Sequence, residues 1–118
     1  MRSEASTNQA DDNPEAIAGK TITVRVKYFA SIREAAGNTE ESHDLISGSV
    51  VHDLLNKVAI LYGDKMRGEI FDGKAVNGLR DDIMITLNEA IINHIKTTET
   101  TLDHGDVLAL FPIFPGGG

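Results

Sequence analysis

Val107-Leu108-Ala109-Leu110-Phe111-Pro112-Ile113-Phe114-Pro115-Gly116-Gly117-Gly118 is the stretch on which the reading of the chain turns. Its first five residues are apolar without alternation, the pattern of a strand covered on both faces, which places it in the middle of a mixed sheet. Beyond Pro112 normal strand pairing stops. Glycine loses more backbone entropy on ordering than any other residue, so a packed domain gains nothing from three in succession. The run reads instead as a chemical handle: a carboxylate that can be threaded into a narrow channel and attacked without steric hindrance. A frayed tail is the alternative, since chain ends order poorly by default.

Working back from this strand, Asp103-His104-Gly105-Asp106 is a turn. Ile83–Leu87 reads as a strand, Asn88-Glu89 as the turn of a hairpin, and residues 91–95 as its short return. Residues 64–81 are rich in Gly and Asp, with turn signals at Asp72-Gly73 and Asn77-Gly78, and are expected to form a long loop. Residues 49–62 carry the clearest helical pattern. Val51, Leu54, Leu55, Val58 and Leu61 or Tyr62 fall on one stripe. Ser49 is the expected N-cap, Asp53 suits the first turn, and Gly63 is a C′ residue, while His52 three places after Ser49 leaves no capping box.

From Thr21 the period becomes two. Ile22, Val24, Val26 and Tyr28 point one way and Thr23, Arg25 and Lys27 the other, as in a half-buried strand. Ser31 to Ala36 is a short helical turn closed by Gly37-Asn38, and residues 39–46 are a weaker strand of ambiguous register. Residues 1–19 hold almost no large apolar side chain and are expected to be a disordered arm. The result is an α+β domain over residues 20–115 with one amphipathic helix on one sheet face, followed by a flexible glycine tail, residues 116–118. In that order the two chain-end strands can pair side by side.

Composition narrows the function. A chain of 118 residues, 41% hydrophobic and 25% charged, is the size of one domain and has no apolar run near the ~20 residues of a membrane helix. Its net charge of −7 argues against nucleic acid as a partner. With no cysteine, the chain has no thiolate zinc site, disulfide or cysteine nucleophile. His43, His52, His94 and His104 lack ligand spacing and are expected at the surface, so no metal site is assigned. No acid–base or nucleophile constellation stands out, so the chain is not expected to be an enzyme. The N-terminus lacks a signal pattern, and a cytoplasmic location is expected. Phe111 continues the strand alternation, which assigns it to the core before it assigns it to a partner. Phe114, between Pro112 and Pro115, reads as an interface residue. Lys20, Lys27, Lys57, Lys65, Lys74 and Lys96 are conceivable self-conjugation acceptors, with ordinary surface lysines the stronger reading of each.

Three segments together resemble a known family: Val26-Lys27-Tyr28-Phe29-Ala30-Ser31-Ile32-Arg33-Glu34-Ala35-Ala36-Gly37, Ser49-Val50-Val51-His52-Asp53-Leu54-Leu55, and Asp103-His104-Gly105-Asp106-Val107-Leu108-Ala109-Leu110-Phe111-Pro112 with the terminal glycines. They are similar to the ubiquitin-like sulfur carriers, which include the small subunit of molybdopterin synthase and the small archaeal modifier proteins. The resemblance implies a β-grasp fold with a four- to five-stranded mixed sheet. It also implies that a ubiquitin-activating-like enzyme uses ATP to adenylate the Gly118 carboxylate, this chain binding no cofactor itself. Sulfur attack then gives a thiocarboxylate for molybdenum cofactor biosynthesis, with the molybdopterin synthase large subunit as partner, or for tRNA thiolation. Attack by a target lysine gives an isopeptide bond. Gly116 and Gly117 would lie in the partner's channel, and Phe111, Pro112, Phe114 and Pro115 would dock. The tail departs from the family's Phe-Pro-Pro-Val run through Ile113, Phe114, Pro115 and the third glycine, so either Gly118 or a trimmed Gly117 is the reactive end.

Overall fold

A computed structural model of the chain describes residues 20–73 and 76–113. The arm expected over residues 1–19 lies outside the described residues. The elements in order are β1 (Thr21–Tyr28), α1 (Ala30–Ala36), β2 (Glu40–Ile46), α2 (Val51–Tyr62), α3 (Asp64–Ile70), a 3₁₀ turn (Val76–Gly78), β3 (Ile83–Leu87), β4 (Ala90–Ile91), a second 3₁₀ turn (His94–Thr98) and β5 (Val107–Pro112). The strands form one five-stranded sheet in the order β2-β1-β5-β3-β4. β5 is therefore the central strand that its unbroken apolar run predicts. It runs parallel to β1, with Val26 opposite Leu108 and Tyr28 opposite Leu110, and antiparallel to β3, with Ile85 opposite Leu110.

One face of the sheet is sealed by α2. Val51, Leu54, Leu55 and Val58 are fully buried, as are Val24, Val26, Leu108 and Leu110 across from them. The stripe ends on Tyr62, since Leu61 is 58% exposed. Ser49 does not cap the helix: its Oγ donates to the Ile46 carbonyl at 2.7 Å. Val50 is the N-cap, and its amide donates to Asp53 Oδ2 at 2.8 Å, so Asp53 supplies the carboxylate half of a capping box one residue later than expected. Gly63, at φ 86°, ends α2 by donating to the Ala59 carbonyl and lets the chain turn directly into α3.

α3 and the 3₁₀ turn replace much of the loop expected over residues 64–81. A seven-residue helix has little intrinsic stability. Met66 and Ile70, one turn apart, are both fully buried and hold it to the core, and Leu79 closes the return. The hairpin return is also shorter than expected. β4 is two residues long, and beyond it Asn93 Oδ1 accepts from the Ile95 amide at 3.0 Å, bending the chain into the second 3₁₀ turn. The register of β2 is settled by burial: His43 and Leu45 face the core. On its outer side, Lys57 Nζ donates to the Asp44 carbonyl at 2.6 Å and covers part of the exposed edge.

Candidate functional site

Among the described residues no helix covers the far face of the sheet. Alternation along β5 sends Leu108 and Leu110 into the core, and Val107, Ala109 and Phe111 to this open face. The core assignment of Phe111 is thereby corrected. Its ring stacks on Phe29, centroids 4.2 Å apart and planes 11° from parallel. Phe29 stands at the β1–α1 junction, so the stack ties the end of β5 to the start of α1. Together with Lys27, Thr86, Asn88, Glu89, Val107 and Ala109, the two rings line an open groove of about 520 Å³. Met84 pairs with Phe111 and Ile91 with Thr86 on the same face. Ile91 is 72% exposed and Ile113 45%, so apolar surface runs from the aromatic stack to the last described residue of the tail. A contiguous exposed apolar area of this kind marks an interaction surface more often than chance exposure.

Pro112 ends β5 and Ile113 follows it, its amide donating to the Asp82 carbonyl at 2.8 Å. The structure thus brings two of the expected docking residues, Phe111 and Pro112, to the place where the tail departs. Phe114, Pro115, Gly116, Gly117 and Gly118 lie outside the described residues. Of the lysines, Lys27 lines the groove, Lys57 is engaged at the β2 edge and Lys96 contacts Glu99 at 3.5 Å; Lys74 lies outside the described residues.

The histidines are not simply surface residues. His43 is 6% exposed and its Nε2 lies 2.9 Å from Glu41 Oε2. His52 Nε2 lies 2.9 Å from the Asn77 carbonyl, and His94 Nε2 2.7 Å from the Ile83 carbonyl. Of the four, His104 keeps the expected exposure.

A polar cluster on the core side was not foreseen. Both tyrosines of the chain converge on Glu41: Tyr28 donates to Oε2 and Tyr62 to Oε1, each at 2.5 Å. Asn38 Nδ2 donates to the Tyr62 hydroxyl at 3.2 Å. Partial burial pushes the Glu41 carboxyl up, but the hydrogen bonds from Tyr28, Tyr62 and His43 outweigh it and hold the group below the usual carboxylate range. Burial and then the Glu41 carboxylate push both tyrosine hydroxyls up. The cluster pins β2, β1 and the end of α2 together. Its signal in the sequence was only that two tyrosines flank a strand containing an isolated Glu-x-His.

The pattern of the ThiS family matches residues 26–117, from the middle of β1 into the glycine run. The chain belongs to the ThiS family. In this family member the five-stranded mixed sheet packed on α2 is the β-grasp architecture, and solved structures bear out the likeness to small archaeal modifiers and to a putative molybdopterin converting factor subunit. The chain is similar to the small archaeal modifier protein 1 of Methanosarcina acetivorans, at 30% identity and a TM-score of 0.67, covering 84% of this chain and 100% of that one. It is similar to a putative molybdopterin converting factor, subunit 1, of Pyrococcus furiosus, at 30% identity and a TM-score of 0.62, covering 79% and 99%. Urm1 of Trypanosoma brucei, at 17% identity and a TM-score of 0.64 over 82% and 97%, shares the fold. No curated protein matches the chain by sequence. Among the described residues no helix is long and apolar enough to cross a membrane, and no group of side chains is arranged to hold a metal ion.

Proposed function

We infer that this ThiS-family chain is a ubiquitin-like modifier whose Gly118 carboxylate is adenylated by an ATP-dependent activating enzyme and then joined to target lysines. In a second role the same activated carboxylate receives sulfur and carries it as a thiocarboxylate. One observation supports this reading above others: the family match runs through the glycine segment as far as Gly117, and the strand leading into that segment is the central strand β5. A terminus fed from the middle of a sheet has a rigid base, and the apolar face beside it gives a partner something to grip. Adenylation turns a carboxylate, a poor electrophile, into an acyl group with a good leaving group. The chain supplies that electrophile, and the partner supplies ATP and the nucleophile's activation.

A second reading, a dedicated sulfur carrier for molybdopterin synthase, is favoured by the likeness to a protein described as a molybdopterin converting factor subunit. One experiment addresses both. The chain is incubated with ATP and an adenylating enzyme from the same genome, with either a sulfur donor or a lysine-bearing protein extract, and its intact mass is measured. The modifier reading predicts glycine remnants on target lysines as well as a sulfur-for-oxygen mass change. The dedicated carrier predicts the mass change alone, and an unchanged mass without conjugates contradicts both.

A further inference from the structure

The tail is fastened at its root by groups the carrier chemistry above does not use. Ile113 donates its amide to the Asp82 carbonyl at 2.8 Å. The Asp82 carboxylate is gripped from both sides by Arg80, with Nε to Oδ1 at 2.8 Å and Nη2 to Oδ2 at 3.0 Å. Arg80 is in turn tied twice to the end of α3: its backbone amide donates to the Ile70 carbonyl at 2.9 Å and its Nη1 to the Gly68 carbonyl at 3.4 Å. Carbonyls in the last turn of a helix have no partner within the helix, so they are free to accept these bonds. Hydrogen bonds, joined through the covalent frame of Asp82, therefore connect α3 through Arg80 and Asp82 to the backbone of Ile113.

Stability is a poor explanation for this arrangement. The two side chains are 39% and 46% exposed, and ion pairs at such positions contribute little to folding. Geometry explains it better. A guanidinium can hold one carboxylate through two parallel bonds and keep a third N–H for a helix carbonyl, which an ammonium cannot do in the same fixed plane. The fork fixes the Arg80–Asp82 segment, and that segment presents the carbonyl that holds Ile113.

We propose that Arg80 is a positioning residue: acting through Asp82, it fixes Ile113 at the end of β5, so that a partner meets the base of the C-terminal segment in one fixed place. The consequence for activation rests on the proposed function, whereas the clamp itself is a property of the fold. Fixing the Ile113 base in advance removes entropy that a partner would otherwise have to overcome on binding.

The test uses the full chain and its Arg80→Ala and Arg80→Lys variants. In Arg80→Ala, amide exchange at Ile113 is expected to accelerate about tenfold while that of Ile92, bonded to the Ile85 carbonyl, is unchanged, the mark of local rather than global opening. In ATP–pyrophosphate exchange with the adenylating enzyme, KM for the chain is expected to rise about fivefold with kcat within about twofold, because pre-ordering of a ligand is lost. Arg80→Lys keeps the charge and is expected not to restore KM. Unchanged exchange at Ile113, or equal acceleration at Ile92, would overturn the clamp. Faster exchange with an unchanged KM, or full rescue by lysine, would overturn the positioning role. Should the parent chain itself fail to support pyrophosphate exchange, the proposed function falls, and the Ile113 measurement still decides the clamp.

Discussion

Phe29 and Phe111 stack nearly parallel, 4.2 Å between ring centroids, on the side of the sheet that α2 leaves open. The pair joins the two segments that define the tail's base, the β1–α1 junction and the end of β5. Such stacking contributes about 0.5–1.5 kcal/mol beyond the area it buries. A double-mutant cycle of Phe29→Ala and Phe111→Ala, followed by urea unfolding, is expected to return a coupling in that range. Because the stack also lines the proposed docking groove, Phe111→Ala is expected to weaken binding of the adenylating enzyme by ~2 kcal/mol or more, as truncation of an aromatic anchor does. Calorimetric titration showing unchanged affinity would remove Phe111 from the interface.

The Glu41 cluster makes a signed pH prediction. Glu41 is held below its ordinary value in the fold, so its contribution is fully present above the unfolded carboxylate value of about 4.3 and is lost as pH falls through the lower folded value. Tyr28 and Tyr62, pushed up, carry the opposite sign: their contribution holds below about pH 10 and is lost as pH rises through the folded values. Glu41→Gln is expected to cost about 1–3 kcal/mol at neutral pH, because hydrogen bonds to a charged acceptor are lost. Urea titrations should show the parent losing stability in acid faster than this variant. Parallel acid limbs would contradict the assignment.

The β3–β4 turn stores strain. Asn88 and Glu89 both sit at positive φ, 52° and 73°, the backbone of a two-residue hairpin turn. Asn88 also works through its side chain, accepting from the Val107 amide at 2.9 Å and donating to Asp106 Oδ1 at 3.0 Å. Among the described residues Glu89 makes no such side-chain hydrogen bond, and a residue with a Cβ in this region costs ~1–2 kcal/mol. Glu89→Gly is therefore expected to stabilise the chain by about 0.5–1 kcal/mol after glycine's larger unfolded-state entropy is subtracted. A lower thermal midpoint would refute this.

How far the sequence could be read depended on whether a signal was periodic. The α2 stripe and the alternation from Thr21 report burial directly: Ile22, Val24, Val26, Tyr28, Val51, Leu54, Leu55 and Val58 are buried, and only at the end of the stripe does Leu61 face out while Tyr62 is half-buried. The apolar run from Val107 identified a central strand, yet it concealed which side Phe111 takes, since an apolar residue on an open face looks like core until the partner strands are placed. α3 was hidden because seven residues containing Gly68 between two charged neighbours present only Met66 and Ile70 as a signal. Asp53 was missed as a cap because the helix starts one residue later than Ser49 suggested. The Glu41 cluster and the Arg80–Asp82 clamp join residues far apart in the chain or in its irregular stretches, where no local period exists. The glycine run suggested a chemical handle by composition, and the specific chemistry proposed for it rests on the family resemblance.

The most direct test of the central claim concerns the glycines themselves. The family match ends at Gly117, with Gly118 one peptide step beyond, about 3.4 Å along an extended chain. Deleting Gly117 and Gly118 shortens the tail by about 7 Å and touches no core residue. The measurement is chain-dependent ATP–pyrophosphate exchange by the adenylating enzyme, for the parent, for the Gly118 deletion and for the double deletion, with thermal midpoints taken in parallel. The double deletion is expected to melt like the parent and to support no exchange, and the single deletion identifies which glycine carries the carboxylate. Exchange by the double deletion at the parent's rate would place the reactive group elsewhere and contradict the account.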